Sequence, residues 1–326
     1  DRANFEMTAI SFGGDDADEL RTRLKGAFEH FVDARSKNDR EVAGMMRDLE
    51  IDIAVDLNGF TKGARTSVFA RRAAPIQVNY LGYPGTLGAA YYDYILADRF
   101  VIPEDCFEFY SENVVRLPDC FQANDSGRRA ADRTPSRSEM GLPERGLVFC
   151  CANNSYKITP AMFDVWMRIL RSVPESCLWL VSGQPCVVSN LRKEAAARGV
   201  APERIVFAEP APYAQYLSRY RVADLFLDTL PFNGGTTASD ALWAGLPVLT
   251  CSGEAFAARM AGSLLSTLGL RELIADSLED YEALALQLAR DPERLAGLKR
   301  SLASACDTSA LFDTDRFRRN LEKAYT

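Results

Sequence analysis

The sequence predicts an α/β protein made of two doubly wound domains with parallel sheets. Two observations carry that prediction. Short runs that are apolar on both faces alternate with amphipathic stretches almost from end to end, the pattern of strands covered by helices on both sides. The alternation lapses over residues 122–145 and then restarts. With 326 residues, 47% of them hydrophobic and 25% charged, the chain has material for two ordinary cores.

In the first half, Phe5–Phe12 reads as a strand and Ala17–Phe31 as a helix. Asp39–Leu49 is helical, Ile51–Leu57 a strand, Arg65–Arg72 a helix and Ile76–Leu81 a strand, and residues 93–98 and 113–117 add two more strands. Residues 122–145 then collect Asn, Asp, Ser, Gly, Pro and four arginines, Arg128, Arg129, Arg133 and Arg137. Without apolar periodicity, this segment reads as a solvated linker rather than a basic recognition patch. The expected division is therefore 1–125, a linker at 126–145, and 146–326.

The second half opens with a strand at Leu147–Ala152 and a helix at Thr159–Val173, with Thr159 as N-cap and Pro160 in the first turn. Phe163, Trp166, Met167 and Leu170 recur at helical spacing and form a core stripe. Strands follow at Cys177–Ser182, Arg204–Phe207, Asp224–Asp228 and Pro247–Cys251, separated by helices near 188–199, 213–222, 236–244 and 255–268, with helices from Leu278 onward. In sheets of this kind ligands bind at the carboxyl ends of the strands, here expected in the cleft between two facing domains.

Composition narrows the function. No apolar run reaches membrane-spanning length, and the opening Asp1-Arg2-Ala3-Asn4 is unlike a signal peptide. A net charge of −7 argues against nucleic acid as a partner. Eight cysteines without a CxxC pair, several inside apolar runs, fit reduced buried thiols and a cytoplasmic setting. His30 is the sole histidine, so no site can draw two from this chain. GxGxxG, P-loop and GxSxG patterns are absent, against dehydrogenase, kinase and hydrolase readings.

The richest segment is Asp228-Thr-Leu-Pro-Phe-Asn-Gly-Gly-Thr-Thr-Ala-Ser-Asp240. A strand ends, Gly234 and Gly235 allow close backbone approach, and a helix begins near Thr236, whose free N–H groups would meet an anion. Thr236 and Thr237 add hydroxyl donors. Asp240 follows on the same face, either to accept from ribose hydroxyls or as an exposed acid on a plainly capped helix. Asn153-Asn154-Ser155-Tyr156-Lys157-Ile158 also joins a strand to a helix. Lys157 is there either a solvated lysine or, with the other junction, a group that neutralises a departing diphosphate. Gly82-Tyr83-Pro84-Gly85-Thr86 dictates a tight turn at a strand's carboxyl end, a position that also lets it line the cleft. Asp16-Ala17-Asp18 and Asp313-Thr314-Asp315 match a DxD metal signature but introduce helices, so capping is their expected role and no metal site is assigned.

Three stretches carry a family resemblance. Ala74-Pro75-Ile76-Gln77 leads into Leu81–Thr86, Asn153–Pro160 is followed by Trp166, and the Asp228 segment continues to Gly245. In this order the stretches resemble glycosyltransferase family 41, the protein O-GlcNAc transferases and the plant SPINDLY protein fucosyltransferase. The resemblance spans nearly the whole chain. It implies a GT-B fold and metal-independent, inverting transfer from UDP-GlcNAc or a related nucleotide sugar to protein Ser or Thr, with no cofactor. By position, Lys157 would hold the diphosphate, with Asn154 nearby where the animal enzymes have Gln. Thr236 and Thr237 would contact phosphate, Asp240 the ribose, Ala211 the uracil through its backbone, and Arg219 would frame the base. Tyr216 stands where the animal enzymes stack a His, Tyr213 where they have Lys, and Gly235 where they have a phosphate-side His. His30 matches a histidine near the sugar and acceptor, and its role is either general base, core residue or a residue supporting the site from behind the groups that touch the ligand. The chain begins after the family's first strand and lacks the preceding TPR repeats, so the expectation is nucleotide binding with impaired transfer. Two alternatives stay open, a GDP-fucose-dependent fucosyltransferase and an inactive nucleotide-binding scaffold.

Overall fold

The computed structural model describes residues 1–14 and 19–326. The chain forms two compact units, Asp1–Ala97 with Glu104–Arg116 and Leu321–Thr326, and Asp98–Pro103 with Leu117–Asn320.

In the first unit, β1 (Thr8–Ser11) pairs in parallel with β2 (His30–Asp33). A four-stranded sheet runs in the order β3 (Ile53–Asp56), β4 (Ile76–Asn79), β5 (Tyr94–Asp98) and β6 (Asn113–Leu117), with parallel β3–β4 and β4–β5 pairs. The helices are α1 (Glu19–Ala27), α2 (Asp39–Asp48) and α3 (Thr66–Phe69). A capping box starts α2: the Asn38 side chain accepts from the Glu41 N–H at 3.0 Å and the Glu41 carboxylate from the Asn38 N–H at 2.7 Å. Its Val42, Ala43 and Met46 then pack with Ala54, Val68, Phe69 and Tyr92.

The Ala74–Thr86 motif is a structural lock. Fully buried Gln77 donates to the carbonyls of Phe69 and Tyr91 and accepts from the Ala73 N–H, so its carboxamide is satisfied. A Cβ on Gly82 would lie 2.0 Å from the Leu57 carbonyl oxygen, which excludes any other residue from that turn. Thr86 donates to buried Glu112, which also accepts from the Leu87 N–H at 2.8 Å.

The helix expected at Ala17–Phe31 ends earlier, at Ala27, and β2 follows it. This strand is held by distant partners: the His30 N–H donates to Met7 and the Ala34 N–H to Ser11. Two apolar residues, Phe31 and Val32, carry no local signal of such pairing.

The second unit holds six strands in the order β12-β11-β10-β7-β8-β9, all neighbours parallel. They are β7 (Val148–Cys151), β8 (Cys177–Val181), β9 (Ile205–Ala208), β10 (Leu225–Leu227), β11 (Val248–Cys251) and β12 (Ile274–Ala275). The two-residue β12 is too short to read from sequence. The helices are α4 (Pro160–Ser172), α5 (Pro185–Ala197), α6 (Tyr213–Arg219), α7 (Thr236–Trp243), α8 (Met260–Thr267), α9 (Leu278–Arg290), α10 (Pro292–Thr308) and α11 (Thr314–Tyr325). Thr159 caps α4 as expected, accepting from the Met162 N–H at 3.2 Å, and Trp166 is fully buried.

The chain builds this sheet outward from β7 to β9, returns to the centre for β10, and continues the other way. The loops after β7 and β10 therefore diverge, leaving a crevice at the carboxyl ends of two adjacent strands. This is the dinucleotide-fold strand order, and it fixes where a ligand can sit.

Residues 126–145, expected to be solvated, are anchored at two arginines. Arg137 donates to the Gly146 carbonyl and to Asp224, each at 2.8 Å. Arg128 is buried against Asp240. Charge alone predicts exposure; burial follows from partners more than 80 residues away in sequence, which no local pattern reveals.

Candidate functional site

The crevice between the ends of β7 and β10 is organised by Asp228, which is 1% exposed. Its Oδ1 accepts from the Gly234 N–H at 2.7 Å and Asn153 Nδ2 at 2.9 Å, and its Oδ2 accepts from Thr250 Oγ1 at 2.7 Å. Burial pushes its carboxyl above the ordinary aspartate value, while these donors pull it back. Asn153 also donates to Thr229 Oγ1 at 2.8 Å and accepts from the Thr237 hydroxyl. One carboxylate and one carboxamide thus tie the β7 loop to the turn that starts α7.

That turn needs its glycine. A Cβ on Gly234 would come within 2.7 Å of Thr237 Oγ1 and 2.9 Å of Asn153 Oδ1. Gly234→Ala is expected to destabilise the unit by roughly 1–3 kcal/mol, read as a lowered urea midpoint. At Gly235 a Cβ would meet Gln122 Oε1 at 3.3 Å, so there a side chain needs only small adjustment.

Lys157 reaches the same turn. Its Nζ donates to the Asn233 carbonyl at 2.7 Å and lies 3.8 Å from the centre of the Phe232 ring. Burial lowers its pKa, opposed by the charge of Asp228. A partly desolvated ammonium and the unpaired N–H groups of the first turn of α7 therefore face one crevice, an arrangement suited to an anion.

Beside the crevice, at the carboxyl ends of β7, β8 and β9, lies a mainly apolar pocket of about 170 Å³. Cys150, Cys151, Trp179 and Tyr220 are among its lining residues, and Ala211, Tyr216 and Arg219 complete it. Burial raises the Cys150 and Cys151 thiols well above their ordinary value, so both line the pocket as neutral, apolar groups. Tyr213 stacks on Tyr216 with ring centres 6.1 Å apart and 21° between planes. The dimensions and the flat aromatic surfaces suit a planar ring.

Between pocket and turn, Asp240 is 2% exposed and accepts from the Tyr213 hydroxyl at 2.7 Å and from Arg128 Nη1 at 2.8 Å. The alternative of an exposed acid is thereby overturned.

The model of glycosyl transferase family 41 matches residues 1–134 and 126–321. The chain belongs to that family. It is 40% identical over 330 residues to an Arabidopsis thaliana protein named Probable UDP-N-acetylglucosamine–peptide N-acetylglucosaminyltransferase SEC, covering 99% of this chain and 34% of that one. A Petunia hybrida SPINDLY protein with the corresponding name is 33% identical over 296 residues, covering 88% of this chain and 31% of that one. The solved structure of the Thermobaculum terrenum O-GlcNAc transferase, a lysine-to-methionine mutant, superposes with a TM-score of 0.89 at 34% identity, covering 100% of this chain and 62% of that one. The chain thus spans about a third of the plant relatives. The expected α/β, GT-B-type fold class holds.

In this family 41 chain, the structure gathers Lys157, Gly235, Thr236, Thr237, Asp240, Ala211, Tyr213, Tyr216 and Arg219 around one crevice and its adjoining pocket. Asn154 stands exposed at the start of the turn Ser155–Lys157, while its neighbour Asn153, part of the same candidate segment but given no role of its own by the sequence, is buried in the network. The Thr237 hydroxyl donates to Asn153, so the donor expected for a ligand is already engaged. His30 lies on β2 in the first unit, exposed, with Nε2 2.6 Å from Glu6 Oε1; it is not a core residue. Asp313 caps α11 by accepting from the Arg316 N–H at 2.9 Å. Asp16 and Asp18 lie outside the described residues. Among the described residues no cluster of three or more His, Cys, Asp or Glu could hold a metal, and no helix is long and apolar enough to cross a membrane.

Arg128 is the other residue whose role was not legible. It sits in a polar stretch with three further arginines, and nothing local distinguishes it from them.

Proposed function

We propose that this chain transfers N-acetylglucosamine from UDP-N-acetylglucosamine to serine or threonine hydroxyls of proteins, inverting the anomeric carbon without a metal or cofactor. The observation that carries the reading is the pairing of Lys157 with the first turn of α7, beside an apolar, tyrosine-lined pocket. The pocket takes the base against Ala211, Tyr216 and Arg219. Asp240 takes the ribose, and Lys157 takes the diphosphate with the Thr236 hydroxyl and the backbone N–H groups of Thr236 and Thr237, the Thr237 hydroxyl being held by Asn153. The acceptor oxygen bonds the anomeric carbon, the bond from that carbon to the β-phosphate oxygen breaks, and UDP departs with the electron pair. Lys157 and the helix end stabilise the charge that develops there. The acceptor's proton passes to a base, and His30 is the candidate carried over from sequence. The names borne by the plant relatives and the bacterial structure support this donor and acceptor class.

Calorimetry with UDP, GDP, ADP and CDP tests the base, and transfer assays with UDP-GlcNAc and GDP-fucose test the sugar. UDP is expected to bind best and UDP-GlcNAc to turn over. Preference for GDP with transfer from GDP-fucose would replace this donor, and UDP binding without transfer of either sugar would leave a scaffold. Excess EDTA is expected to change neither binding nor turnover, since Lys157 and α7 supply the positive charge. Activity lost to EDTA and restored by manganese would overturn the metal-free reading.

A further inference from the structure

Asp240 is anchored asymmetrically. Both of its donors, Tyr213 Oη at 2.7 Å and Arg128 Nη1 at 2.8 Å, converge on Oδ1, and among the described residues no donor reaches Oδ2. Arg128 is itself held by several partners. Its Nε donates to the Asp125 carbonyl at 3.0 Å and its Nη1 also to Ser239 Oγ at 3.2 Å. Its guanidinium lies 5.0 Å from the Trp243 ring centre and 5.4 Å from that of Phe312. Its side chain is 7% exposed, and Nη2 is buried without a partner. A buried cation fixed this firmly and aimed at one oxygen of a buried carboxylate has a directional consequence. It saturates that oxygen and leaves the other as the acceptor.

We propose that Arg128 is a positioning residue for the nucleotide's ribose: it holds Asp240 with Oδ1 occupied, so that Oδ2 alone is left to accept from the ribose diol. The location fits. Asp240 lies one turn along α7 from Thr236 and Thr237, and it is bonded to Tyr213, which stacks on the pocket residue Tyr216. A sugar joining a base in the pocket to phosphates at the helix start passes Asp240. The inference rests on the nucleotide reading above and deepens it. It assigns selection of ribose to a contact between segments 112 residues apart.

The charged and titratable groups facing Asp240 are Arg128 from the segment before β7, and Tyr213 on α6 with Tyr216 and Tyr220 beyond it. Arg128 is the cation among them. Burial favours the neutral form of Asp240, opposed by the Tyr213 hydroxyl and Arg128. Without the arginine, Asp240 would hold its proton to higher pH and offer a hydroxyl where the diol needs an acceptor.

The test measures affinity for UDP and for 2′,3′-dideoxy-UDP by calorimetry from pH 6 to pH 8.5, in the full chain and in Arg128→Met, Arg128→Gln and Arg128→Lys. The native chain is expected to prefer UDP by roughly tenfold or more across the range, as for a charge-assisted hydrogen bond. In Arg128→Met and Arg128→Gln the preference should collapse at pH 6 and recover as pH rises, while affinity for the dideoxy ligand stays within about threefold. Arg128→Lys, which keeps the charge, should restore the flat profile. Should Arg128→Met fail to fold, Arg128→Gln carries the same expectation, and Arg128→Lys set against the native chain still reads whether charge sustains the preference. Equal losses for the two ligands, or a preference that no substitution alters, would overturn the role of Arg128 alone. Failure of the native chain to bind UDP at all would instead remove the nucleotide reading on which it stands.

Discussion

Lys157→Ala is expected to reduce transfer by at least about 100-fold, the scale on which removing one preorganised donor to a developing negative charge acts. It should weaken UDP binding by roughly 1.5–3 kcal/mol, about ten- to a hundredfold. Uridine binding should be nearly unchanged. The asymmetry follows from where the ammonium is held: Nζ is fixed by the Asn233 carbonyl and the Phe232 face, at the turn that opens α7 and away from the residues that complete the pocket. Lys157→Met tests charge against shape, because it keeps most of the stem and should lose as much UDP affinity as alanine. Burial lowers the Lys157 pKa, so its proton leaves at lower pH than a solvated lysine's. UDP affinity should therefore decline on the alkaline side before about pH 10.4, and that decline should be missing from both variants. Equal losses for UDP and uridine would remove Lys157 from the diphosphate.

How far the sequence reaches can be judged from particular residues. Elements with local signals were legible, such as α4 with Thr159 as its cap, and the Gly234 turn. The same holds for much of the site, because Lys157, Thr236, Thr237 and Asp240 sit at strand-to-helix junctions that mark the carboxyl edge of a parallel sheet. Strands β2 and β12 were not legible, since four and two residues respectively, paired with distant partners, leave no periodicity to detect. The roles of Asn153 and Arg128 were not legible for a related reason. An asparagine in a loop and an arginine in a polar stretch look solvated until tertiary partners are known, and those partners are Asp228 and Asp240. Burial of polar groups is decided by the fold, and sequence neighbours carry little of that information.

Asp228→Ala is expected to destabilise the second unit by about 3–5 kcal/mol, and Asp228→Asn by about 1–2 kcal/mol. Alanine removes the acceptor of three buried donors, the Gly234 N–H, the Thr250 hydroxyl and Asn153 Nδ2, of which Asn153 Nδ2 alone keeps a second acceptor, Thr229 Oγ1. Asparagine keeps an oxygen for the first two and offers an N–H₂ to a Thr250 hydroxyl that can rotate to accept it. Trp166, Trp179 and Trp243 all lie in the second unit, so tryptophan fluorescence in urea follows its unfolding alone. The same pair of variants reports the ionisation of Asp228. Burial raises its carboxyl above the unfolded value of about 3.9, so the folded chain binds that proton more tightly than the unfolded one. The contribution of this group to stability should then fall as pH rises from about 4 through the raised folded value, and Asp228→Asn should lack that slope. The stability advantage of the native chain over Asp228→Asn should accordingly shrink between pH 4 and 7. An advantage that grows with pH would mean that the three donors outweigh burial and hold the carboxylate ionised. In either case Asp228→Ala should also weaken UDP binding. Asp228 holds the Gly234 amide and Asn153, Asn153 holds Thr237, and the start of α7 is placed through those bonds.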